Sequence, residues 1–215
     1  MNATAFFPCL RAPALAAAVL LLAGCSVLGS QQRDPVTIYA PLVQVAPDPS
    51  WPKVDWQLAV LKPTASRVVD SPRISVRPVP GELQVYRGVS WSQPSTDLIE
   101  EVLLNALEDS GKIRSVARPA SGIRADYRLV LDLRRFDSDY AGAATPSAVI
   151  ELNAKLLLSS DQRVVAARTF LVSKPASSTA IPQVVEAFEQ SLQALGLEVA
   201  GWTLAEGEAD ARRKR

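Results

Sequence analysis

The sequence predicts one α/β domain with a mostly antiparallel or mixed sheet and two main helices. Three segments in its second half alternate polar and apolar residues, which is typical of strands buried on one face. Two other segments repeat apolar residues every three or four positions, as helices packed on a sheet do. The predicted order is β, β, β, α, β, β, β, α, and this order fits a single α/β domain.

The first three strands are short. Residues 56–61 are rich in β-forming side chains and end at Lys62 and Pro63, which favours a first core strand. Residues 73–77 and 82–86 each alternate polar and apolar side chains on either side of a Pro-Gly turn. We therefore expect two short strands around that turn.

The first helix is predicted over residues 96–110. Asp97 and Glu100 have the spacing of a capping box, and Gly111 is a typical helix terminator. The apolar face of this helix consists of Leu98, Val102, Leu103, Ala106 and Leu107.

Three strands are predicted next, at residues 127–133, 148–158 and 164–172. Residues 137–147, which contain glycine, alanine and proline, are predicted to form a loop. A turn at residues 160–162 connects the last two strands as a hairpin.

The second helix is predicted to begin near Ser178 or Thr179, with Pro182 in its first turn. Gly196 and Gly201 are expected to weaken its last turns. One continuous apolar stripe, which we assign to the core rather than to a partner, consists of Val185, Phe188, Leu192, Leu195, Val199 and Trp202.

The N-terminus resembles the leader of a bacterial lipoprotein. An uncharged apolar run follows Arg11 and ends in Leu22-Ala23-Gly24-Cys25, which resembles a lipobox. This resemblance implies cleavage between Gly24 and Cys25, a diacylglyceryl thioether on Cys25 and acylation of the new amine. The apolar run is shorter than the roughly 20 residues of a spanning helix. The alternative is an ordinary secretory signal with Cys25 as a bystander.

Composition argues against several functions. The only other cysteine, Cys9, lies in the predicted leader, so no disulfide is expected within one mature chain. Histidine is absent, which removes the usual general base and the commonest metal ligand. Serine–lysine chemistry and paired carboxylates stay open, but the acidic residues fall mostly on alternating strand faces or beside basic residues. We expect no enzyme, no cofactor beyond the lipid on Cys25, and no metal.

The charge balance gives no signature of nucleic-acid binding. Only Arg11 of the 23 basic residues precedes Cys25, which leaves 22 basic and 22 acidic residues from Cys25 onward. A neutral balance of this kind is not typical of a nucleic-acid-binding surface.

The predicted organisation has four parts. Residues 1–24 form the signal peptide, and residues 25–55 form the lipidated cysteine and a proline-rich tether that could span roughly 90 Å if fully extended. A short strand at residues 36–39 is the alternative for part of this tether. Residues 56–205 form the domain, with Trp51 and Trp56 anchoring the tether to it rather than contacting a partner. Residues 206–215 form a charged, solvated tail, with contact to anionic lipid as the alternative.

Four segments together resemble the ABC-type transport auxiliary lipoproteins, the lipoprotein partners of Mce-domain and paraquat-inducible-type intermembrane transport systems. The Tyr-Tyr-x-Leu element of that family is replaced here by Ile38-Tyr39-Ala40-Pro41. The four segments are the lipobox, residues 71–91 with the helix that follows, residues 125–136, and the last helix from Ala187-Phe188 to Trp202.

The resemblance implies a non-enzymatic lipoprotein that docks a periplasmic Mce-domain protein, so that lipids or other hydrophobic molecules pass between membranes. It implies an α/β sandwich similar to the N-terminal domain of TolB, and it allows a homo-oligomeric ring. Bacterial sorting rules read the residue after the lipidated cysteine. Because Ser26 stands there rather than aspartate, the outer membrane of a Gram-negative bacterium is expected, with the domain on its periplasmic side.

The candidate partner contacts are Tyr86, Arg87 and Trp91, since aromatic residues and arginine are enriched at interfaces. The alternative places Tyr86 and Trp91 in the core beneath the first helix. A second candidate function is a stand-alone periplasmic lipid-binding or envelope-assembly lipoprotein. A lipid binder of this kind needs an apolar pocket between the sheet and the helices.

Overall fold

The computed structural model of the chain describes residues 35–122 and 124–214. The predicted α/β class, with two helices and a mixed sheet, is confirmed. In chain order the elements are β1 (Thr37–Tyr39), β2 (Val54–Val60), β3 (Thr64–Ala65), β4 (Ser75–Arg77), β5 (Gln84–Val85), β6 (Val89–Trp91), α1 (Ser95–Glu108), β7 (Ile113–Ala117), β8 (Tyr127–Asp139), β9 (Ser147–Leu158), β10 (Val164–Pro175) and α2 (Ile181–Arg213).

Strand β8 organises the sheet. It pairs antiparallel with β9 along its whole length, and β9 pairs antiparallel with β10. On its other side β8 pairs in parallel with β2, β3 and β4 in turn. Strand β7 extends the sheet in parallel beyond β2, and α1 lies in the crossover that such a pairing requires. The long ladders are therefore antiparallel, and the short pairings to β8 are parallel.

Side chains alternate between the two faces of a β-strand, so every second residue of the long strands points into the core. Leu129, Leu131 and Leu133 of β8 are buried, and Leu131 lies opposite buried Ala154 of β9. The ladder then shifts register just after Leu133, and this bulge turns Phe136 into the same core. The shift interrupts the alternation, which explains why the sequence predicts an end at residue 133 for a strand that reaches residue 139.

Helix α1 lies within two residues of its predicted bounds, but the predicted capping box is wrong. Pro94 is the N-cap residue and no side chain caps the helix. Asp97 instead binds Lys62 at 2.6 Å, and Glu100 binds Arg118 at 3.2 Å. The two carboxylates are drawn to cations on neighbouring segments, an outcome that local spacing cannot predict.

Helix α2 continues unbroken past the glycines that were expected to weaken it. A Cβ atom at Gly196 would lie 2.8 Å from Cγ2 of Val45, and one at Gly201 would lie 2.6 Å from Nε1 of Trp51. Gly207 makes a similarly close approach to the indole of Trp56. These glycines therefore make room for the N-terminal chain, and their packing offsets the low helix propensity of glycine.

The domain begins earlier than predicted. Strand β1 pairs with β6, Trp51 is 8% exposed and Val54 is 2% exposed, so the boundary at residue 55 is corrected to Val36. The anchoring role predicted for Trp51 and Trp56 is confirmed by their burial against α2.

The C-terminal segment is also corrected. Residues 206–213 belong to α2, where Gly207 and Asp210 are buried, and they do not form a separate solvated tail. No helix within residues 35–122 or 124–214 has both the length and the apolar composition needed to cross a bilayer.

Candidate interaction surfaces

The predicted lipidation site lies outside the described residues. Gly24 and Cys25 precede Pro35, the first residue that the structure describes. Cleavage between them and acylation of Cys25 therefore stay predictions.

Trp91 is a core residue, so its predicted role in partner binding is wrong. It is 2% exposed, and its indole meets the rings of Phe136 and Phe188 edge-on at 6.0 and 5.1 Å. The two phenylalanine rings stack on each other at 4.9 Å. Trp91 is the last residue of β6, where it pairs with Tyr39 of β1.

Tyr86 and Arg87 stay candidates for a contact. Tyr86 is half-buried, its hydroxyl lies 3.1 Å from Oγ of Ser138, and burial raises the pKa of this tyrosine. Arg87 is exposed. The structure thus separates the three predicted contact residues between the core and the surface.

The structure reveals a surface that the sequence analysis missed, formed by residues 40–49, here called the N-terminal strap. Its side chains alternate over residues 42–45. Val43 and Val45 pack against the core, whereas Leu42 and Gln44 point outward. This alternation could have predicted that the segment packs on the domain, but it covers only residues 42–45 and lies between prolines.

The strap lies along α2 and beside α1. The backbone N–H of Leu42 donates to Oε1 of Glu189 at 3.1 Å, and Nε2 of Gln193 donates to the carbonyl of Gln44 at 2.9 Å. Both contacts use side chains of α2.

A cleft of about 550 Å³ lies between the strap and the two helices. Three carboxylates, those of Glu101, Glu186 and Glu189, contribute to its lining, which includes no lysine or arginine. Uncompensated carboxylates in one concave surface attract positively charged groups. The cleft is therefore suited to a basic partner segment.

A smaller cleft of about 340 Å³ is lined by the last part of the strap, by α2 and by Lys174 of β10. Val45, Ala194 and Leu197 supply apolar lining there, and Lys174 supplies a positive charge. The strap thus contributes to the lining of an acidic cleft and of a more apolar one.

A buried charged cluster lies near the C-terminal end of α2. Asp210 of α2 is 2% exposed and accepts hydrogen bonds from Tyr127 at 3.1 Å and from Arg163 at 2.8 Å. Its carboxylate also pairs with Lys214 at 2.8 Å. Burial opposes ionisation, but the hydrogen bonds from Lys214, Arg163 and Tyr127 outweigh it and hold the pKa of Asp210 well below its usual range. Burial and the bond to Asp210 raise the pKa of Tyr127 to about 12.

We expect Asp210→Asn to lower the free energy of unfolding at pH 7 by about 1 kcal/mol, since its partners Arg163 and Lys214 are partly exposed and screened by solvent. A depressed carboxylate pKa stabilises the fold above the unfolded pKa of about 4, and this contribution is lost as the pH falls through the folded value. Urea titrations of both proteins between pH 3 and pH 7 measure this effect. The difference should shrink below about pH 4, and a pH-independent difference would assign the loss to packing.

The described core has no space for a ligand between sheet and helices. The six side chains that such a pocket would use are at most 1% exposed, and the clefts along the strap and beside α1 are lined by other residues. The lipid-binding alternative of the sequence analysis therefore lacks its pocket in the described residues. The six are Leu129, Leu131, Ile150, Leu152, Phe188 and Leu192.

The described residues form no metal-binding cluster. Across residues 35–122 and 124–214, no three Asp, Glu, Cys or His side chains are grouped so that they could hold a metal ion.

Comparison with known proteins assigns the family. The family of ABC-type transport auxiliary lipoprotein components matches residues 37–200, from β1 through most of α2. The chain belongs to this family. The match includes the strap, whereas Gly207 and Asp210 of the last helical turns lie beyond it.

Solved structures agree on the fold of this auxiliary lipoprotein. The crystal structure of protein XCC0632 from Xanthomonas campestris, of family DUF330, is 59% identical with a TM-score of 0.80, covering 82% of this chain and 99% of that one. A second crystal structure, of an uncharacterized protein, is 12% identical with a TM-score of 0.61 and covers 77% of this chain and 97% of that one. The second likeness concerns the fold alone.

One curated relative is longer than this auxiliary lipoprotein. The uncharacterized protein bll6063 of Bradyrhizobium diazoefficiens is 26% identical over 147 residues, which cover 68% of this chain. The chain matches only 39% of that protein's length.

Proposed function

We propose that this auxiliary lipoprotein is a non-enzymatic component of an Mce-type ABC system that moves lipids between membranes. Acyl chains on Cys25 anchor it in the outer membrane, on the periplasmic side. The observation that carries the proposal is the family match over residues 37–200, which includes the sheet, α1, the strap and most of α2. A role in binding rather than in chemistry is consistent with the absence of histidine from the whole chain.

The proposed anchor and compartment rest on the first residues. Leu22-Ala23-Gly24-Cys25 supports lipidation, and Ser26 supports transfer to the outer membrane because aspartate is not in that position. An anchor made of acyl chains requires no spanning helix.

The acidic cleft beside the strap is the proposed docking surface for the Mce-domain protein. Glu101 of α1 and Glu186 of α2 both line it, together with Leu42 of the strap. A partner segment with lysine or arginine would find carboxylates there without basic neighbours in the same lining. Tyr86 and Arg87 stay candidates for a second contact, and a homo-oligomeric ring stays a prediction for the assembled state.

Co-purification tests this function. The tagged lipoprotein is solubilised from a strain that expresses an Mce-domain protein, and the captured partner is quantified. A charge reversal worth about 1 kcal/mol corresponds to about fivefold in affinity. We therefore expect Glu186→Lys, and likewise Glu101→Lys, to reduce capture about fivefold.

The matched control is Asp55→Lys, which makes the same charge change at an exposed site on β2 outside the cleft lining. This control should capture as much partner as the wild type. Equal losses in all three variants would contradict the cleft as the docking surface. Absence of any Mce-domain protein from the wild-type eluate would contradict the proposed function itself.

A further inference from the structure

The contacts of the N-terminal chain show how it runs relative to α2. The strap meets Glu189 through Leu42 and approaches Gly196 through Val45, and the chain then reaches Gly207 through Trp56. It therefore runs parallel to α2, whose 33 residues extend about 50 Å. The first described residues consequently lie at the end of the domain where α2 begins, here called the tether end. Asp210 lies at the opposite end, here called the far end.

Exposed aliphatic side chains collect at the tether end. Val36 is 57% exposed and Ile38 is 65% exposed, although they belong to the segment that pairs with β6. The backbone of Thr37 donates to the carbonyl of Gly88 at 2.9 Å, which places these side chains beside the chain that follows β5. Val85 of β5 is 42% exposed on that same run of chain. Large apolar side chains exposed together in this way mark an interaction surface.

Two arginines flank these side chains. The backbone of Tyr86 donates to the carbonyl of Ile74 at 3.0 Å, so the segments that carry Arg87 and Arg73 are neighbours. Both arginines are exposed, and no carboxylate of the described residues lies within 4 Å of either. The surface thus combines aliphatic side chains with unpaired positive charge, which complements a layer of anionic headgroups.

We propose that this tether-end patch, formed by Val36, Ile38, Arg73, Val85 and Arg87, rests on the surface of an anionic phospholipid bilayer. The proposal rests on the anchor at Cys25 described under the proposed function. Pro35 comes ten positions after Cys25, and an extended chain spans at most about 3.6 Å per residue. Pro35 therefore stays within about 36 Å of the lipidated residue, so the patch meets the membrane at high effective concentration.

This contact would orient the lipoprotein. The aliphatic side chains would enter the headgroup region and the guanidinium groups would bind lipid phosphates. The far end, with Arg212 and Arg213, would then point away from the anchoring membrane. The alternative raised from sequence, in which the basic C-terminus binds lipid, is not compatible with this orientation on the same bilayer.

Site-specific fluorescence tests the patch. The full-length lipoprotein carrying Ile38→Cys is labelled with an environment-sensitive thiol dye and reconstituted into vesicles of phosphatidylethanolamine and phosphatidylglycerol. Val164→Cys is the matched control, because Val164 is 51% exposed at the start of β10, beside the far end. We expect a lipid-borne quencher to quench the dye several-fold more strongly at position 38 than at position 164.

Charge reversal tests the arginines. Arg87→Glu and Arg73→Glu should each reduce the quenching at position 38, because each lost arginine should weaken association of the patch with the bilayer about fivefold. Vesicles of phosphatidylcholine alone should also reduce this quenching. Arg114→Glu, at an exposed site on β7, should leave quenching unchanged. Equal quenching at positions 38 and 164 would overturn the proposal. If the dye at position 38 were instead shielded from water without vesicles, to a degree that rises with protein concentration, the proposal would be overturned in favour of contact between copies of the protein.

Labelling of the parent lipoprotein, which has no added cysteine, distinguishes failure of this proposal from failure of the proposed anchor. If it takes up the dye and mass spectrometry finds the dye on Cys25 rather than on Cys9 of an uncleaved leader, Cys25 carries a free thiol and the proposed anchor fails. The patch is then decided by sedimentation of the unlipidated chain with the same two vesicle types. Preference for the anionic vesicles supports the patch, and equal sedimentation with both overturns it.

Discussion

Replacing Cys25 by serine should move nearly all of the protein from the membrane fraction to the soluble fraction after carbonate washing. Each acyl methylene buried in a bilayer contributes about 0.8 kcal/mol, so the acyl chains that a lipobox implies hold a protein effectively permanently. No helix of the described residues offers a second means of crossing the membrane. Without the lipid, the tether-end patch alone should support only weak, salt-sensitive association.

Cys9→Ser is the matched control for this experiment, because Cys9 is the only other cysteine and lies in the predicted leader. This variant should stay membrane-bound. An uncleaved leader could also retain the protein, so a second Cys25→Ser chain carries an ordinary secretory leader in place of residues 1–24. Mass spectrometry of the N-terminal peptide identifies which form is present. A processed Cys25→Ser chain that resists carbonate extraction would contradict the anchor.

The long antiparallel ladder could be predicted because its pattern is repeated in each strand. Strands β8, β9 and β10 alternate over many residues, and their partners are close in sequence, so the local pattern and the tertiary fold agree. Even there, the bulge after Leu133 hid the last part of β8.

The short strands were predicted only in part. The alternation over residues 73–77 and 82–86 predicted β4 and β5, and the strand given as the alternative for residues 36–39 is found as β1. Strand β6 was missed, because its three residues are too few to show a period and its partner β1 lies 52 positions earlier in the sequence. Strand β7 was missed for the same reason, since its partner β2 is separated from it in sequence by the crossover that contains α1. The boundary at residue 55 was wrong because the prolines before Trp51 favoured a tether, whereas residues 37–39 pair with β6 as strand β1.

Candidate contact residues were predicted less well than the fold. Aromatic side chains are enriched both at interfaces and in cores, and arginine is enriched at interfaces, so composition alone grouped Trp91 with Arg87. Burial separates them, since Trp91 packs inside and Arg87 is exposed. The acidic cleft was missed because its carboxylates come from two helices that are far apart in sequence.

Trp91→Ala should lower the free energy of unfolding by about 3–5 kcal/mol, because it removes the ring that meets Phe136 and Phe188 and leaves a cavity among three elements. That loss is a large part of the 5–15 kcal/mol that typically stabilises a domain. Urea unfolding of the wild type and the variant measures it. Trp91→Phe should lose only about 1–2 kcal/mol, since the indole N–H has no hydrogen-bond partner in the described structure and the smaller ring keeps most of the packing. Arg87→Ala, four residues away on the surface, should stay within about 0.5 kcal/mol. If Trp91→Ala instead unfolded like the wild type and lost only partner capture, the interface predicted from sequence would be restored and the core assignment would be wrong.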